Sequence, residues 1–212
     1  EGYLVKNIFV SLVSSAVFFA FIYYLRIDNL DNFFSDYGFF VLLSVVGIAL
    51  IVSADRQVRS YREFPCMSGM MIGMTIGMVS GFLSGLYVGA TNGMFVGSIF
   101  GMFVGIYFGI LNGRCCGVMG VIEGIMAGFM GGLMGAMTAV MTLNDGLKYI
   151  SLVSLVVCGF ILFCLNYMIF KESKQLESAN QNRGIYVVGM TLVYDVLLVW
   201  LMVFGPRSVL FG

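Results

Sequence analysis

Histidine is absent from all 212 residues. Its absence excludes imidazole-ligated zinc or haem, Ser-His-Asp catalysis and imidazole proton relays. Charge is scarce as well: Asp, Glu, Lys and Arg make up 10% of the chain, against about 25% in an ordinary soluble domain. Acidic and basic residues balance at 11 each, so no basic surface is offered to nucleic acid. No lysine falls in the middle of a long apolar run, which excludes a retinal Schiff base, and neither a phosphate loop nor a nucleotide fingerprint is present. Nothing in the chain predicts a catalytic centre.

What remains is apolar. Hydrophobic residues reach 60% and mean hydropathy is +0.99, so the chain could not cover its own surface in water. The composition predicts an all-α, polytopic integral membrane protein, a single transmembrane domain over residues 1–212 with lipid as its main partner. Runs of about 20 apolar residues are needed for each crossing. Charge clusters and turn dipeptides, Asn92-Gly93 and Asn112-Gly113 among them, divide the chain into seven predicted spans: 3–25, 37–54, 66–91, 94–111, 115–142, 147–170 and 184–204. The basic residues set an orientation. Lys6, Arg56, Arg59, Arg62, Arg114, Lys171, Lys174 and Arg183 fall on one side of such a topology, and Arg26, Lys148 and Arg207 on the other. This predicts a cytoplasmic N-terminus and an outer C-terminus.

Glycine stands at every fourth position from Gly69 to Gly117, then slips one residue and continues at Gly120, Gly124, Gly128 and Gly132. Residues four apart share a helix face, and in lipid such small-xxx-small steps let backbones approach closely. Because the period exceeds 3.6, the stripe drifts in the sense of right-handed wrapping. A glycine-zipper core of the third, fourth and fifth spans is therefore expected, with a homo-oligomer or a complex with other membrane subunits as the wider assembly.

Thirteen of the 16 methionines lie between Met67 and Met141. On the fifth span, at about 100° per residue, Met119, Met126, Met130, Met134, Met137 and Met141 form one stripe, and Glu123 lies on it. The glycines of that span cluster on the opposite side. Met67, Met71, Met74 and Met78 make a similar stripe on the third span. The seven-span topology brings Cys66, Cys115 and Cys116 to one mouth of the core. Cys164 falls further in and Cys158 nearer the middle. Thiolate and thioether sulfur without imidazole select soft ions, above all Cu(I), and intramembrane carboxylates such as Glu123 and Asp195 are candidate functional groups. The alternative is packing: methionine fills irregular gaps, and a slim, adaptable side chain suits a glycine-rich neighbour.

The Met-xxx-Met steps at Met70, Met74 and Met78, interleaved with Gly-xxx-Gly steps, resemble helix motifs of the copper transporter family. There methionine rings line a pore and small residues pack the helices, on different helices of three-span subunits; here both motifs share one helix. The resemblance implies metal-ligand roles for Met70, Met74 and Met78. The full expected ligand set is then Cys66, Met70, Met74, Met78, Cys115, Cys116, Met119, Glu123 and Met126, with Cu(I) as the ion and no organic cofactor. Phe64-Pro65-Cys66, with Cys115 or Cys116, is also similar to the paired cysteines of cytochrome c maturation-type thiol oxidoreductases. Three functions stay open on these residues: soft-cation transport, a non-catalytic packing subunit, and a transmembrane dithiol electron carrier.

Overall fold

The structure, a computed structural model, describes residues 9–11, 13–16, 30–60, 66–142, 146–173 and 184–204. Among these residues it is helical throughout, apart from short turns. Helix α1 spans Leu30–Ser60, α2 Cys66–Asn92, α3 Met94–Gly113, α4 Gly117–Met141, α5 Leu147–Ser173 and α6 Gly184–Phe204. Four stretches are long and apolar enough to cross a membrane: Gly38–Arg59, Cys66–Asn92, Met94–Met141 and Leu147–Ile169. Glycine-rich sequences are poor helix formers in water, by about 1 kcal/mol per glycine relative to alanine. Lipid reverses the outcome, because the backbone must satisfy every N–H and C=O internally.

Described helices overlie the predicted stretches 66–91, 94–111, 115–142, 147–170 and 184–204 closely. Most of the predicted first span, 3–25, lies outside the described residues. The predicted second span, 37–54, falls within α1, which begins at Leu30 and runs through the basic stretch to Ser60. The expected turn at Asn112-Gly113 is also corrected. Helix α3 continues through both residues, a 3-10 turn covers Arg114–Cys116, and the chain reverses at Gly117, whose φ of 68° is left-handed. At Asn92-Gly93 the expected turn is present, with Gly93 at φ 91°.

Helices α2, α3 and α4 meet backbone to backbone through their glycines. A methyl group added at Gly101 would fall 2.8 Å from the Gly85 Cα and 2.9 Å from the Gly132 Cα. At Gly77 it would meet the Gly109 Cα at 3.0 Å and the Gly124 carbonyl at 3.1 Å. Each four-residue step along one helix is answered by a four-residue step on the next: Gly109 faces Gly124, Gly105 faces Gly128, and Gly101 faces Gly132. This register makes α3 antiparallel to both α2 and α4, which run parallel to one another.

The other side of α2 packs conventionally. Ile72, Ile76, Leu83, Leu86 and Tyr87 are fully buried and join Ile48, Ile51 and Val52 of α1, Leu162 and Ile169 of α5 and Leu198 of α6 in one apolar core. Helix α4 packs against α2 and α3, and no other described helix covers its third side. Interior hydroxyls, such as those of Ser80 and Ser84, hydrogen-bond carbonyls of their own helix.

Candidate functional site: a thiol cluster at one end of the glycine-rich bundle

The 3-10 turn and the left-handed Gly117 fold the chain so that Cys115 and Cys116 lie against the first turn of α2. Gly69 makes the approach possible. A Cβ there would sit 2.6 Å from Cys115 Sγ and 2.8 Å from Cys116 Sγ, so the two sulfurs occupy the space a side chain would fill. The Cys116 thiol donates to the Cys66 carbonyl, and Cys66 Sγ lies 3.9 Å from the Cys116 carbonyl oxygen. Three free thiols from two chain segments therefore converge at one end of the bundle. Cys66 and Cys115 are exposed and Cys116 is half-buried, so the cluster is open to an incoming ion or thiol reagent.

Behind the cluster is a buried polar anchor. The Cys115 thiol donates to the Asn112 carbonyl at 3.4 Å. The Asn112 amide donates to Asp55 Oδ1 and to the Phe108 carbonyl, both at 2.9 Å. Asp55 is 1% exposed and is paired with Arg59 one turn on, with Nε to Oδ2 at 3.1 Å. A carboxylate can stand here because a guanidinium and an amide both face it. Asp55 and Asn112 do not stand out in the sequence. Asp55 reads as part of a basic junction and Asn112 as half of a turn dipeptide. The i,i+4 spacing of Asp55 and Arg59 on one helix was the available signal.

The other expected ligands are placed as follows. Met74 and Met78 of α2, and Met119 and Met126 of α4, are exposed on outer helix faces, Met126 at 61%. Met70 and Glu123 are half-buried. Met119 lies about one turn beyond Cys116, and Glu123 and Met126 continue up the same outer face of α4. The glycines of α4 face inward and its methionines outward. Cys158 is buried in the apolar core and Cys164 is exposed on α5, so neither joins the cluster. Asp195 is buried on α6. Among the described residues no group of three His, Cys, Asp or Glu side chains is arranged to hold a metal ion. Three converging thiols nevertheless have the donor chemistry that a soft cation prefers. No known protein family, curated protein or solved structure matches this chain.

Proposed function

We propose that the chain is a membrane transport or channel-like protein for a soft cation such as Cu(I), received at the Cys66, Cys115 and Cys116 thiols. The convergence of those thiols over Gly69 carries this reading. In it, the ion passes from the thiols to Met119 and Met126 on the outer face of α4, with Glu123 supplying negative charge and Met70, Met74 and Met78 a parallel sulfur column on α2. The methionines on those faces are exposed among the described residues, and a second copy or another membrane subunit encloses the route. The glycine ladders act as a zipper that keeps α2, α3 and α4 rigid beneath it. The topology proposed is seven spans with the N-terminus and the thiols cytoplasmic and the C-terminus outside.

A second reading is favoured by the same exposed faces: a non-catalytic assembly subunit whose methionines pack against a neighbour. The thiol contact between Cys66 and Cys116 also fits a dithiol electron carrier. Copper content separates the three. The purified protein, loaded with Cu(I) under reducing conditions and washed, is expected to retain copper stoichiometrically and to lose it after thiol alkylation. Met126→Leu and Glu123→Gln should express normally but weaken Cu(I) retention or uptake, because they remove sulfur or charge while preserving shape. Parent protein that holds no copper would leave the assembly reading in place. Reversible loss of two alkylatable thiols on mild oxidation, requiring Cys66, would favour the electron carrier.

A further inference from the structure

A second set of buried polar groups lies away from the thiols and takes no part in the soft-cation route. Asp195 is 1% exposed, and neither of its carboxylate oxygens has a hydrogen-bond partner among the described residues. Its depth is set by its neighbour. The Tyr194 ring rests between Phe100 and Phe108 of α3, at 6.3 and 6.2 Å, and its hydroxyl meets that of Ser84 on α2. Residues 100 and 108 bracket the middle of α3, so Asp195 lies near mid-bundle. The Asn92 amide donates to the Leu201 carbonyl at 2.8 Å and ties the far end of α6 to the end of α2.

Among the described residues the surroundings supply no counter-charge. Tyr87 from α2, with a buried and unpartnered hydroxyl, lies within electrostatic reach of Tyr194, and Cys158 of α5 lies beside Tyr87. Helix α3 contributes the rings of Phe100 and Phe108. On α1 the charged groups nearby are Asp55 and Arg59, paired with one another at the level of Asn112, about two turns or ~12 Å along α3 from Tyr194. At that end Asp55 is neutralised by Arg59, and one buried acceptor, Asn112 Oδ1, has no hydrogen-bond partner among the described residues. The other described basic residues sit at or near helix ends. Unsatisfied polar groups in a bilayer cost several kcal/mol each, and intramembrane carboxylates without a partner typically mark ion or proton pathways. At mid-bundle both oxygens of Asp195 are orphan acceptors. What they lack is a positive species supplied from water.

We propose that Asp195 binds a small monovalent cation, a proton or a sodium ion, supplied from water. Asp195 lies away from the thiol and methionine faces, so the protein has two cation sites of opposite character, one soft and one hard.

The test uses the full chain in proteoliposomes with Cys66, Cys115 and Cys116 replaced by Ser, so that failure of the soft-cation reading leaves it unaffected. Dicyclohexylcarbodiimide modifies protonated carboxyl groups in apolar surroundings, and mass spectrometry assigns the modified residue. Asp195 is expected to be labelled, with labelling falling as pH rises, and Asp195→Asn should lose the label. If the cation is sodium, sodium chloride suppresses labelling at fixed pH where choline chloride does not. If it is a proton, the two salts are equivalent and only pH matters. Labelling is read on the parent residue, so the result stands even if Asp195→Asn folds poorly. Asp195 left unmodified at every pH, with no effect of sodium on any carboxyl infrared band of aspartate-labelled protein, overturns the proposal.

Discussion

Replacing Gly105 by alanine tests the backbone packing most directly, because the added methyl would meet backbone on two helices. Its Cβ would lie 2.7 Å from the Gly128 carbonyl oxygen, 2.8 Å from the Gly128 Cα and 2.9 Å from the Gly77 carbonyl oxygen. Ordinary carbon contacts begin at about 3.5 Å. Helix α3 would therefore have to retreat by roughly 0.6–0.8 Å from α4 and α2 at once, and none of the obstructing atoms can rotate away. Overpacking of this kind costs about 1–3 kcal/mol. The retreat also loosens the rest of the ladder, since a gap of ~0.5–1 Å forfeits a quarter to a half of each contact's attraction. Alanine's helix preference over glycine returns about 1 kcal/mol. Together, overpacking and helix preference leave a net destabilisation of roughly 0–2 kcal/mol, and the loosened ladder adds to it. At Gly159 the new methyl would meet only Leu50 Cδ1, at 3.6 Å, and at Gly189 nothing lies within 4 Å. There the same substitution should be neutral or stabilise by up to about 1 kcal/mol. Reversible unfolding by SDS in mixed micelles, followed by helix circular dichroism and by the fluorescence of the single tryptophan, Trp200, reads all three variants. Unfolding of Gly105→Ala at the same SDS fraction as Gly189→Ala would refute the close backbone contact.

Asn112→Ala removes the amide that links Asp55 to α3 and should destabilise by about 1.5–3 kcal/mol, the range for a hydrogen bond to a charged group; the same SDS titration measures it, and an unchanged midpoint would show that Arg59 alone satisfies Asp55. In a cysteine-free background, single cysteines at Ser60, Arg114 and Ser178 should all react with an impermeant thiol reagent from the cytoplasmic side, and reaction of any one from outside would overturn the seven-span topology.

Much of the architecture was legible because lipid leaves the chain few choices. Where apolar runs of the right length are bounded by charge, a helix follows, and five of the seven predicted spans match described helices closely. The fourfold glycine period, with its inward face, was legible for a similar reason: glycine is the residue that lets backbones meet. The proximity of Cys66 to Cys115 and Cys116 also followed from counting reversals. Two features were not legible. Asp55 and Asn112 are separated by more than fifty residues, and each has a plausible local explanation, so nothing linear announces that their side chains meet. The exact point of reversal after α3 was missed because Asn-Gly favours turns in water, whereas here the Asn112 side chain is held in the helix by Asp55 and by the Phe108 carbonyl.

The sequence by itself determined that this protein is helical and apolar enough for a membrane. It also determined which helix faces carry glycine and which carry sulfur, because composition and period act locally. The tertiary structure decided which ladders interlock and in what register, since matching one row of glycines to another depends on where the chain reverses. It decided that the methionine faces point outward, because α1, α5 and α6 cover α2 from the other side and nothing described covers α4. It also decided that Asp55 has partners while Asp195 has none. Whether a buried carboxylate is satisfied depends on what other helices bring to it, and no pattern along one helix contains that information.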